Sequence, residues 1–279
     1  MKLSIVTINL NNVAGLHETI ISVLNQSSAD LEYIIIDGGS TDGSAELIKE
    51  YSDRIYYWVS EPDSGIYNAM NKGIRKASGE YLLFLNSGDA LASDNIVEEV
   101  FRADHNEEIL YGDITYFSQK EKKVIRTFLQ DDLDLYFFYK QSLWHQAAFI
   151  KKTLFERIGL YNENNRYVSD WQFFFEAVLF RGATYKNLTK VITRYDMANG
   201  ISVLNAEDSE NEKKELLFRK LGMPVMDLLE KYGELARNID QIQRSDKFIL
   251  FRAIEKHKFL FVLNLFFLKA MKKIYKMIG

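Results

Sequence analysis

Two apolar runs in the sequence each end in a turn that carries a carboxylate. Residues 33–37 lead into Gly38-Gly39-Ser40-Thr41-Asp42-Gly43, and residues 81–85 lead into Asn86-Ser87-Gly88-Asp89. Short runs rich in β-branched and aromatic residues are typical of strands that are buried on both faces. In an open α/β sheet, ligands bind beyond the carboxyl ends of such strands. Asp37 and Asp89 are therefore candidates to bind a sugar, a base or a metal-bound diphosphate.

The glycine-rich turn after residue 37 is neither a P-loop nor a dinucleotide fingerprint. Ser44 stands where a P-loop needs its lysine, and Ser40 stands where G-x-G-x-x-G needs its second glycine. Two like charges about 4 Å apart cost about 4 kcal/mol at an effective dielectric of about 20, so Asp37 and Asp42 should meet neutral groups or cation-screened phosphates. For Asp42 we favour the alternative that it only caps the next helix. For Asp37, at the end of a buried strand, we favour a functional role.

The elements that must position these acids alternate between strand and helix along the first half of the chain. Helices of about ten residues separate the strands, which predicts a parallel sheet with right-handed crossovers. The middle of the chain changes to short strands of an antiparallel or mixed arrangement, and the region after residue 206 is predicted to be helical. The predicted strands are 3–9, 32–37, 55–59, 81–85, 109–111, 114–117, 124–128 and 191–195, and the predicted early helices are 15–25, 42–51, 66–77 and 94–103.

Three Ser/Thr-x-x-Glu/Gln patterns fit capping boxes and predict where further helices open. They begin at Thr153, Ser169 and Ser209. The second of them places Asp170 in the first turn of its helix, where the helix dipole favours the ionised carboxylate. The third helix is expected to end at Leu221-Gly222.

Composition and charge restrict the class of protein. At 279 residues and 47% hydrophobic content, the chain can bury a core as one large domain or as one domain with an appendage. It has no cysteine, which excludes disulfides and thiolate metal sites. Polar residues interrupt the N-terminus too early for a signal peptide, so we expect the protein to stay inside the cell.

The net charge of −4 conceals an asymmetry between the body of the chain and its end. Residues 244–279 hold nine basic and two acidic side chains, so this segment carries +7 and the rest of the chain carries −11. An acidic body argues against nucleic acid as the main partner. The basic tail is the part expected to meet something anionic.

Four runs occur in a fixed order along the chain: Ser4–Asn11, Ile36–Gly43, Glu61–Gly73 and Phe84–Asp89. In type and order they resemble the motifs of family 2 glycosyltransferases, and most closely those of the bacterial members that build surface polysaccharides. The resemblance extends over residues 3–200 and implies the GT-A fold, an α/β architecture with a mixed, mainly parallel sheet flanked by helices. It also implies a catalytic domain over residues 1–205, followed by a helical region over residues 206–279.

The resemblance implies a binding site for a nucleotide-sugar donor. Asp37 would hydrogen-bond the base, typically uracil, and Asp89 would hold Mg²⁺ or Mn²⁺ on the diphosphate. The family commonly has acids where this chain has Asn86 and Gly88, so metal binding would rest on Asp89 and the diphosphate itself. It commonly has an aromatic residue where this chain has Leu10, which argues against a stacked base. The other implied donor-site residues are Thr7, Asn9, Asp63, Asn68, Lys72, Asn86 and Ser87.

An inverting transfer needs a carboxylate that deprotonates the acceptor hydroxyl while the metal stabilises the departing diphosphate. Asp170 is the candidate base, because the family places its base in an acidic pair or an Asp-aromatic motif at this point. The alternative is that Asp170 only complements the helix dipole. His145 is a candidate to contact a phosphate or the acceptor, or else a buried structural histidine. Asp113 is a candidate acceptor contact, or else a turn residue.

The tail contains two apolar runs, at residues 248–251 and 259–268. The longer run has ten residues, whereas a membrane-spanning helix needs about 20. The flanking lysines predict an interfacial helix on an anionic leaflet, where each lysine contributes about 1 kcal/mol and each buried Phe or Leu about 1.5–3 kcal/mol. The alternative is a helix packed on the catalytic domain or on the second subunit of a homodimer.

These features together predict a cytoplasmic, peripheral enzyme on the inner face of the cell membrane. It would move a sugar from a nucleotide donor, UDP-linked by the resemblance, to a glycan or lipid-linked glycan with inversion. One alternative is a nucleotidyltransferase, although the loop Asn9–Val13 lacks the basic, glycine-rich character that this chemistry needs. The other is a degenerate nucleotide-sugar-binding subunit, which Asn86 and Gly88 suggest.

Overall fold

The computed structural model describes residues 3–28, 30–118, 122–195 and 205–244, so the two apolar runs of the tail lie outside the described residues. Within these ranges, strands and helices alternate as predicted up to residue 101, except that a two-residue strand, Ala90–Leu91, follows the strand Tyr81–Phe84 without a helix between them. The strands are β1 (Leu3–Asn9), β2 (Leu31–Asp37), β3 (Tyr57–Ser60), β4 (Tyr81–Phe84), β5 (Ala90–Leu91), β6 (Ile109–Ser118), β7 (Lys123–Thr127), β8 (Ala148–Lys151) and β9 (Tyr185–Tyr195). The α-helices are α1 (Val13–Leu24), α2 (Ser44–Glu50), α3 (Ile66–Lys76), α4 (Ile96–Phe101), α5 (Leu135–Lys140), α6 (Lys152–Ile158), α7 (Ser169–Arg181), α8 (Ala206–Leu221) and α9 (Met223–Arg244).

These strands form one mixed sheet in the order β3-β2-β1-β4-β8-β6-β9-β5, with β7 paired to β6. The first four are parallel, as helical crossovers require. Their register places Asn9 opposite Asp37, and Asp37 opposite Ser60. Strand β8 is antiparallel to β4 and β6, whereas β6 and β9 are parallel. The predicted α/β class with a mixed sheet is therefore confirmed.

Helices cover both faces of the parallel half of the sheet. On one face Ile5 and Leu83 belong to an apolar cluster that includes side chains of α1, α2 and α4. On the other face Phe84 of β4 packs against Phe155 of α6, with ring centroids 6.1 Å apart. Gly73 of α3 lies against Val6 of β1 on this face. Burial on both faces explains why these strands are continuous apolar runs rather than alternating patterns.

Strand β6 corrects the prediction of two short strands at 109–111 and 114–117. The structure has one strand, and its pairing with β9 shifts register around Gly112 and Asp113. A Cβ atom on Gly112 would lie 2.5 Å from the Lys190 carbonyl oxygen, so the backbones approach closely at this point. The glycine interrupts the apolar pattern in the sequence, but the bulge lets the strand continue past it.

The three helices predicted from capping boxes are present, but the predicted caps are wrong. Thr153, Ser169 and Ser209 each lie inside the helix rather than before it. The N-cap of α7 is Val168, and the Ser169 hydroxyl has no hydrogen-bond partner among the described residues. The spacing of the side chains identified the first turn of each helix. The residue that caps the helix, however, depends on the path of the preceding loop, which the spacing does not determine.

The chain divides into two compact units, Met1–Arg219 and Lys220–Gly279. Most of α8 is therefore part of the first unit, although the sequence predicted a boundary at residue 205. The predicted catalytic domain at 1–205 stays a prediction. In the part of the chain that the structure describes, none of the helices has the length and apolar content needed to cross a bilayer.

Candidate active site

The carboxyl ends of β1, β2 and β3 meet at Asp37. Its carboxylate accepts hydrogen bonds from Asn9 Nδ2 (2.7 Å), from the hydroxyl (2.6 Å) and N–H (2.9 Å) of Ser40, and from the Ser60 hydroxyl (2.6 Å). Burial raises the pKa of Asp37, but the hydrogen bonds from Ser40, Ser60 and Asn9 outweigh burial and hold the pKa below its usual range. Because Asp37 is 0% exposed and already holds three strand ends together, its contact with a base stays a prediction.

A cavity of about 440 Å³ opens beyond these strand ends, and we call it the strand-end cavity. Its volume lies within the range of about 300–1,000 Å³ that is usual for ligand pockets. Leu10, which is 60% exposed, presents an apolar side chain in its wall. The lining residues are Ile8, Asn9, Leu10, Asn11, Asn12, Asp63, Gly65, Ile66, Ala69, Asn86, Ser87, Asp89 and Tyr195.

The side chains of Asn11 and Asn12 fix the loop after β1, which forms part of the wall of this cavity. Asn11 has a positive φ of 51°, and its Oδ1 accepts from the Thr41 N–H (2.9 Å). Asn12 caps α1 by accepting from the Gly15 N–H (3.1 Å), while its Nδ2 donates to the Ser87 carbonyl (3.1 Å). The wall is thus held in place before any ligand binds.

Asp42 makes contacts within the fold, but the N-cap of α2 is Gly43 rather than Asp42, which was favoured from the sequence. Its carboxylate accepts from the N–H of Val13 (2.8 Å), and from the N–H (3.1 Å) and hydroxyl (2.6 Å) of Ser44. It therefore joins the first turns of α1 and α2, and it does not line the strand-end cavity.

Asn86 and Asp89 are among the residues that line the strand-end cavity. Asn86 Oδ1 is buried and has no hydrogen-bond partner in the described part of the chain. A carboxylate and an amide oxygen are ligands that Mg²⁺ and Mn²⁺ prefer, so the pair fits a cation that also takes diphosphate oxygens. Within the described ranges, however, no cluster of three or more His, Cys, Asp or Glu side chains could hold a metal by itself.

A chain of polar side chains leads from Asn86 to Asp170. Asn86 Nδ2 lies 3.2 Å from Nε2 of His145, and Nδ1 of His145 lies 2.9 Å from Oδ2 of Asp170. The Tyr67 hydroxyl donates to the other carboxylate oxygen, Oδ1, at 2.9 Å. Since a carboxylate can only accept, the Nδ1 proton of His145 points at Asp170. Both oxygens of the predicted base are therefore oriented by fixed donors.

His145 and Asp170, the two ionisable groups in this series of polar side chains, stabilise each other's charged form. Burial raises the pKa of Asp170, but the hydrogen bond and charge of His145 and the Tyr67 hydroxyl outweigh it, so the pKa lies below its usual range. Burial lowers the pKa of His145, but the hydrogen bond and charge of Asp170, together with the charge of Asp89, outweigh burial and raise the pKa above its usual value. Asp170 is thus ionised at neutral pH, as a proton acceptor must be.

A second cavity of about 230 Å³ lies against Asp170, and we call it the Asp170 cavity. It is bounded by residues 141–146, by the start of α7 and by the first two turns of α8. Asn86 lines the strand-end cavity, whereas His145 and Asp170 line this one. The polar chain is therefore part of the wall between the two spaces.

The structure gathers some of the predicted residues at these cavities and places others elsewhere. Asp63 lines the strand-end cavity, where its Oδ1 accepts from the Gly65 N–H (2.9 Å). Thr7 is fully buried and its hydroxyl accepts from the Tyr33 hydroxyl (3.0 Å), so it does not line this cavity. Asp113 is a buried residue of β6 whose Oδ2 accepts from Nη2 of Arg126 (2.6 Å), rather than a turn residue, and it lines neither cavity.

Asn68 and Lys72 of α3 are also directed elsewhere. Asn68 Nδ2 donates to Glu163 (2.8 Å), and Lys72 Nζ pairs with Glu61 (2.7 Å). Neither side chain lines the strand-end cavity. Neither carboxylate partner could be assigned from helix spacing, because Glu163 lies on a distant loop and Glu61 lies before the helix begins.

The sequence reasoning missed Tyr67 and Glu212. Tyr67 lies between the predicted site residues Asp63 and Asn68, but an aromatic residue at this point of the sequence is typical of a core position, and Tyr67 is indeed buried. Glu212 accepts from the backbone N–H groups of Arg166 (2.7 Å) and Tyr167 (2.8 Å), just before α7. The only signal for Glu212 was the capping pattern at Ser209, which pointed to the wrong role.

Comparison with known proteins supports the fold and the family. The sequence profile described as Glycosyl transferase family 2 matches residues 4–163, more than half of the chain. A PGL/p-HBAD biosynthesis glycosyltransferase of Mycobacterium bovis is 29% identical over 232 residues, covering 81% of this chain and 88% of that protein.

Two solved structures have a similar fold. S. aureus TarS 1-349 in complex with UDP-GlcNAc has a TM-score of 0.58 at 18% identity, over 70% of this chain and 58% of that one. The mannosyltransferase PcManGT from Pyrobaculum calidifontis, in complex with GDP-Man and Mn²⁺, has a TM-score of 0.53 at 16% identity, over 84% and 80%. At such identities the likeness concerns the fold, and it confirms the predicted GT-A architecture. The extent of the profile match, joined to this fold, establishes that the chain belongs to glycosyltransferase family 2.

Proposed function

We propose that this glycosyltransferase moves a sugar, with inversion, from a UDP-linked donor to a hydroxyl of a glycan or lipid-linked glycan in surface-polysaccharide synthesis. The observation that carries the proposal is the pair of cavities separated by the Asn86–His145–Asp170 chain. A donor in the strand-end cavity would have its reacting carbon close to the ionised Asp170. The UDP-GlcNAc complex of TarS supports a UDP-linked donor on this fold.

Asp170 would act as the base. As the acceptor oxygen forms a bond to the anomeric carbon, its proton passes to the Asp170 carboxylate. The bond from the anomeric carbon to the diphosphate breaks on the opposite face, and its electron pair leaves with UDP. Tyr67 and His145, each 2.9 Å from a carboxylate oxygen, hold the base in one orientation through these steps.

Asp89, next to Asn86 in the wall of the strand-end cavity, would hold Mg²⁺ or Mn²⁺, which offsets the negative charge of the departing diphosphate when it is bound. The Mn²⁺ complex of PcManGT supports a cation on this fold. With a single carboxylate from the protein, we expect affinity for the cation to be low until the donor supplies its own oxygens. Mn²⁺ should therefore raise the affinity for UDP, while it leaves the melting temperature of the protein without UDP nearly unchanged.

We also propose that the enzyme works at the inner face of the cell membrane. The support is the charge of +7 over residues 244–279 together with the apolar run at 259–268. A lipid-linked acceptor would be presented at the same surface. The alternative is that the apolar run packs against a second copy of the chain in a homodimer.

Donor hydrolysis and transfer by the full chain test the enzymatic proposal. UDP-sugars are screened with and without Mn²⁺, and Asp170→Asn should abolish transfer while UDP binding is retained. Asp113→Asn is the matched control, because it removes a buried, paired carboxylate outside both cavities. Transfer retained by Asp170→Asn would remove Asp170 from the role of base.

A second function has one observation in its favour. The turn at residues 86–89 supplies only one carboxylate, which suits a subunit that binds a nucleotide sugar without turning it over. Intact UDP binding with no turnover of any donor, with or without metal, would support this function and contradict the enzymatic one.

A further inference from the structure

Lys213 is a buried cation in the Asp170 cavity. It lies in the second turn of α8, lines the cavity and is only 7% exposed. Lysine is almost never buried to this extent without a partner, because taking an ammonium group out of water costs several kcal/mol. The position of Lys213 therefore needs an explanation.

No side chain in the described part of the chain neutralises Lys213 at hydrogen-bond distance. The carboxylate that approaches it, Glu210, lies 3.9 Å away and is half exposed, with Lys214 at 3.8 Å from its other oxygen. Burial lowers the pKa of Lys213, and the positive charges of Lys140 and Lys214 lower it further, while Glu210 raises it. Within the described part of the chain, the carboxylate nearest this buried charge is thus half exposed, 3.9 Å away and shared with Lys214.

The surroundings of Lys213 are rigid and aromatic. Its Nζ lies 5.8 Å from the centroid of Trp171, the residue that follows Asp170. The Trp171 ring is stacked on Phe175 with centroids 4.9 Å apart, and its Nε1 donates to the Phe138 carbonyl (2.9 Å). Trp144 and Tyr167 line the same space. Aromatic walls with a few fixed polar groups are typical of ligand pockets.

Helix α8 is fixed to the segment that leads into the base. Glu212, next to Lys213, accepts the backbone N–H groups of Arg166 and Tyr167 at 2.7 and 2.8 Å. Two charge-assisted hydrogen bonds to backbone of this kind set the helix against the loop. The distance from Lys213 to Asp170 is therefore determined by the fold.

We propose that the Asp170 cavity is the acceptor subsite and that Lys213 selects an acceptor sugar bearing an anionic group, a carboxylate or a phosphate. This inference rests on the proposed function, because it takes Asp170 as the group that meets the acceptor hydroxyl. The anion would provide Lys213 with a partner at hydrogen-bond distance, which Glu210 at 3.9 Å does not, and the sugar ring would lie among the aromatic side chains. The preference for an anion is a property of binding and does not require turnover.

Ligand-observed NMR titrations of the full chain with saturating UDP test the proposal. The probes are matched methyl glycosides, glucoside against glucuronide and galactoside against galacturonide, with glucose 1-phosphate as the phosphate arm. An anionic member should bind about tenfold more tightly than its neutral match, and added salt should weaken that preference. Comparison of the uronides with glucose 1-phosphate distinguishes carboxylate from phosphate.

Variants of Lys213 complete the test. Lys213→Met and Lys213→Gln should abolish the preference for the anion and leave binding of the neutral glycoside and of UDP unchanged, whereas Lys213→Arg should retain it. Lys214→Met is the matched control, because this neighbouring lysine is exposed and does not line the cavity. Equal binding of neutral and anionic probes, or a preference that survives both neutral substitutions, would overturn the proposal. UDP binding in each variant reports that the protein is folded.

Discussion

The pairing of His145 with Asp170 has consequences for both stability and chemistry. The histidine Nδ1 proton points at the carboxylate, so the imidazole fixes the base and the base fixes the imidazole tautomer. A base with a lowered pKa remains ionised over a wide pH range, although it is intrinsically weaker. The enzyme would thus rely on position more than on basicity.

The pH dependence of stability follows from the direction of the His145 shift. Its pKa is raised on folding, so its contribution to stability is complete below the ordinary histidine pKa of about 6.5 and is lost as pH rises through the higher folded value. The difference in melting temperature between wild type and His145→Gln should therefore be largest in mild acid and shrink as pH rises. A difference that grows with pH would contradict the ion pair.

At this scale the sequence predicted residue types better than residue partners. Asn9, Asp63, Asn86, Ser87 and Asp89 line one cavity, and His145 and Asp170 line the other. Each of these follows a strand or opens a helix, where chain geometry alone restricts the direction of the side chain. Asn68, Lys72 and Asp113 line neither cavity and pair with Glu163, Glu61 and Arg126, and a helical or strand period does not identify such partners, so the predicted roles of these three residues stay predictions.

Among the elements, helix α3 lies unusually close to the sheet. A Cβ atom on Gly73 would lie 2.3 Å from Cγ1 of Val6 in the buried strand β1. The same helix carries Tyr67, the donor to Asp170. The glycine therefore sets the depth at which α3 packs and, with it, the position of the tyrosine hydroxyl.

Gly73→Ala should destabilise the protein despite the better helix propensity of alanine. The propensity gain is about 1 kcal/mol, whereas overpacking a core typically costs about 1–3 kcal/mol, so we expect a net loss of up to about 2 kcal/mol in urea unfolding. Val6→Ala makes room for the methyl group, and the double variant should lose less than the sum of the two single losses. Additive losses would argue that the contact does not limit packing.

Helix α8 affects the start of α7 through Glu212. Glu212→Gln removes one of the two carboxylate oxygens that accept the N–H groups of Arg166 and Tyr167, at a cost of about 1 kcal/mol. We expect kcat to fall because Asp170 follows this loop, with UDP affinity unchanged. Glu215→Gln is the control, since among the described residues Glu215 pairs with the exposed Arg219 of the same helix and with no other side chain. An equal fall in kcat in both variants would contradict a specific role.

The secondary-structure elements themselves were largely predictable, and their ends were not. The buried strands were recognised because continuous apolar runs bounded by turn residues suit few other structures. Strand β6 was split in the prediction because a glycine bulge breaks an apolar run without ending a strand. The false caps at Thr153, Ser169 and Ser209 arose because the pattern of a capping box also fits residues within a first turn.

For the whole molecule, the separation of charge between body and tail predicts how the enzyme finds a surface. Deleting residues 244–279 should release the protein from anionic phosphatidylglycerol vesicles in a sedimentation assay, because each tail lysine contributes about 1 kcal/mol near such a surface. Neutral vesicles should bind the full chain more weakly. Unchanged partitioning of the shortened chain would refute the anchor and favour a role in dimer formation, which light scattering measures.

The two cavities have no lining residue in common within the described part of the chain. The strand-end cavity is formed by residues 8–89 together with Tyr195, and the Asp170 cavity by residues 141–213. Under the proposed assignment of the two cavities, substitutions can alter acceptor choice without disturbing donor choice, since the two specificities would lie in different stretches of sequence. A chimera that exchanges residues 141–213 with those of a relative should acquire that relative's acceptor while keeping its own sugar nucleotide.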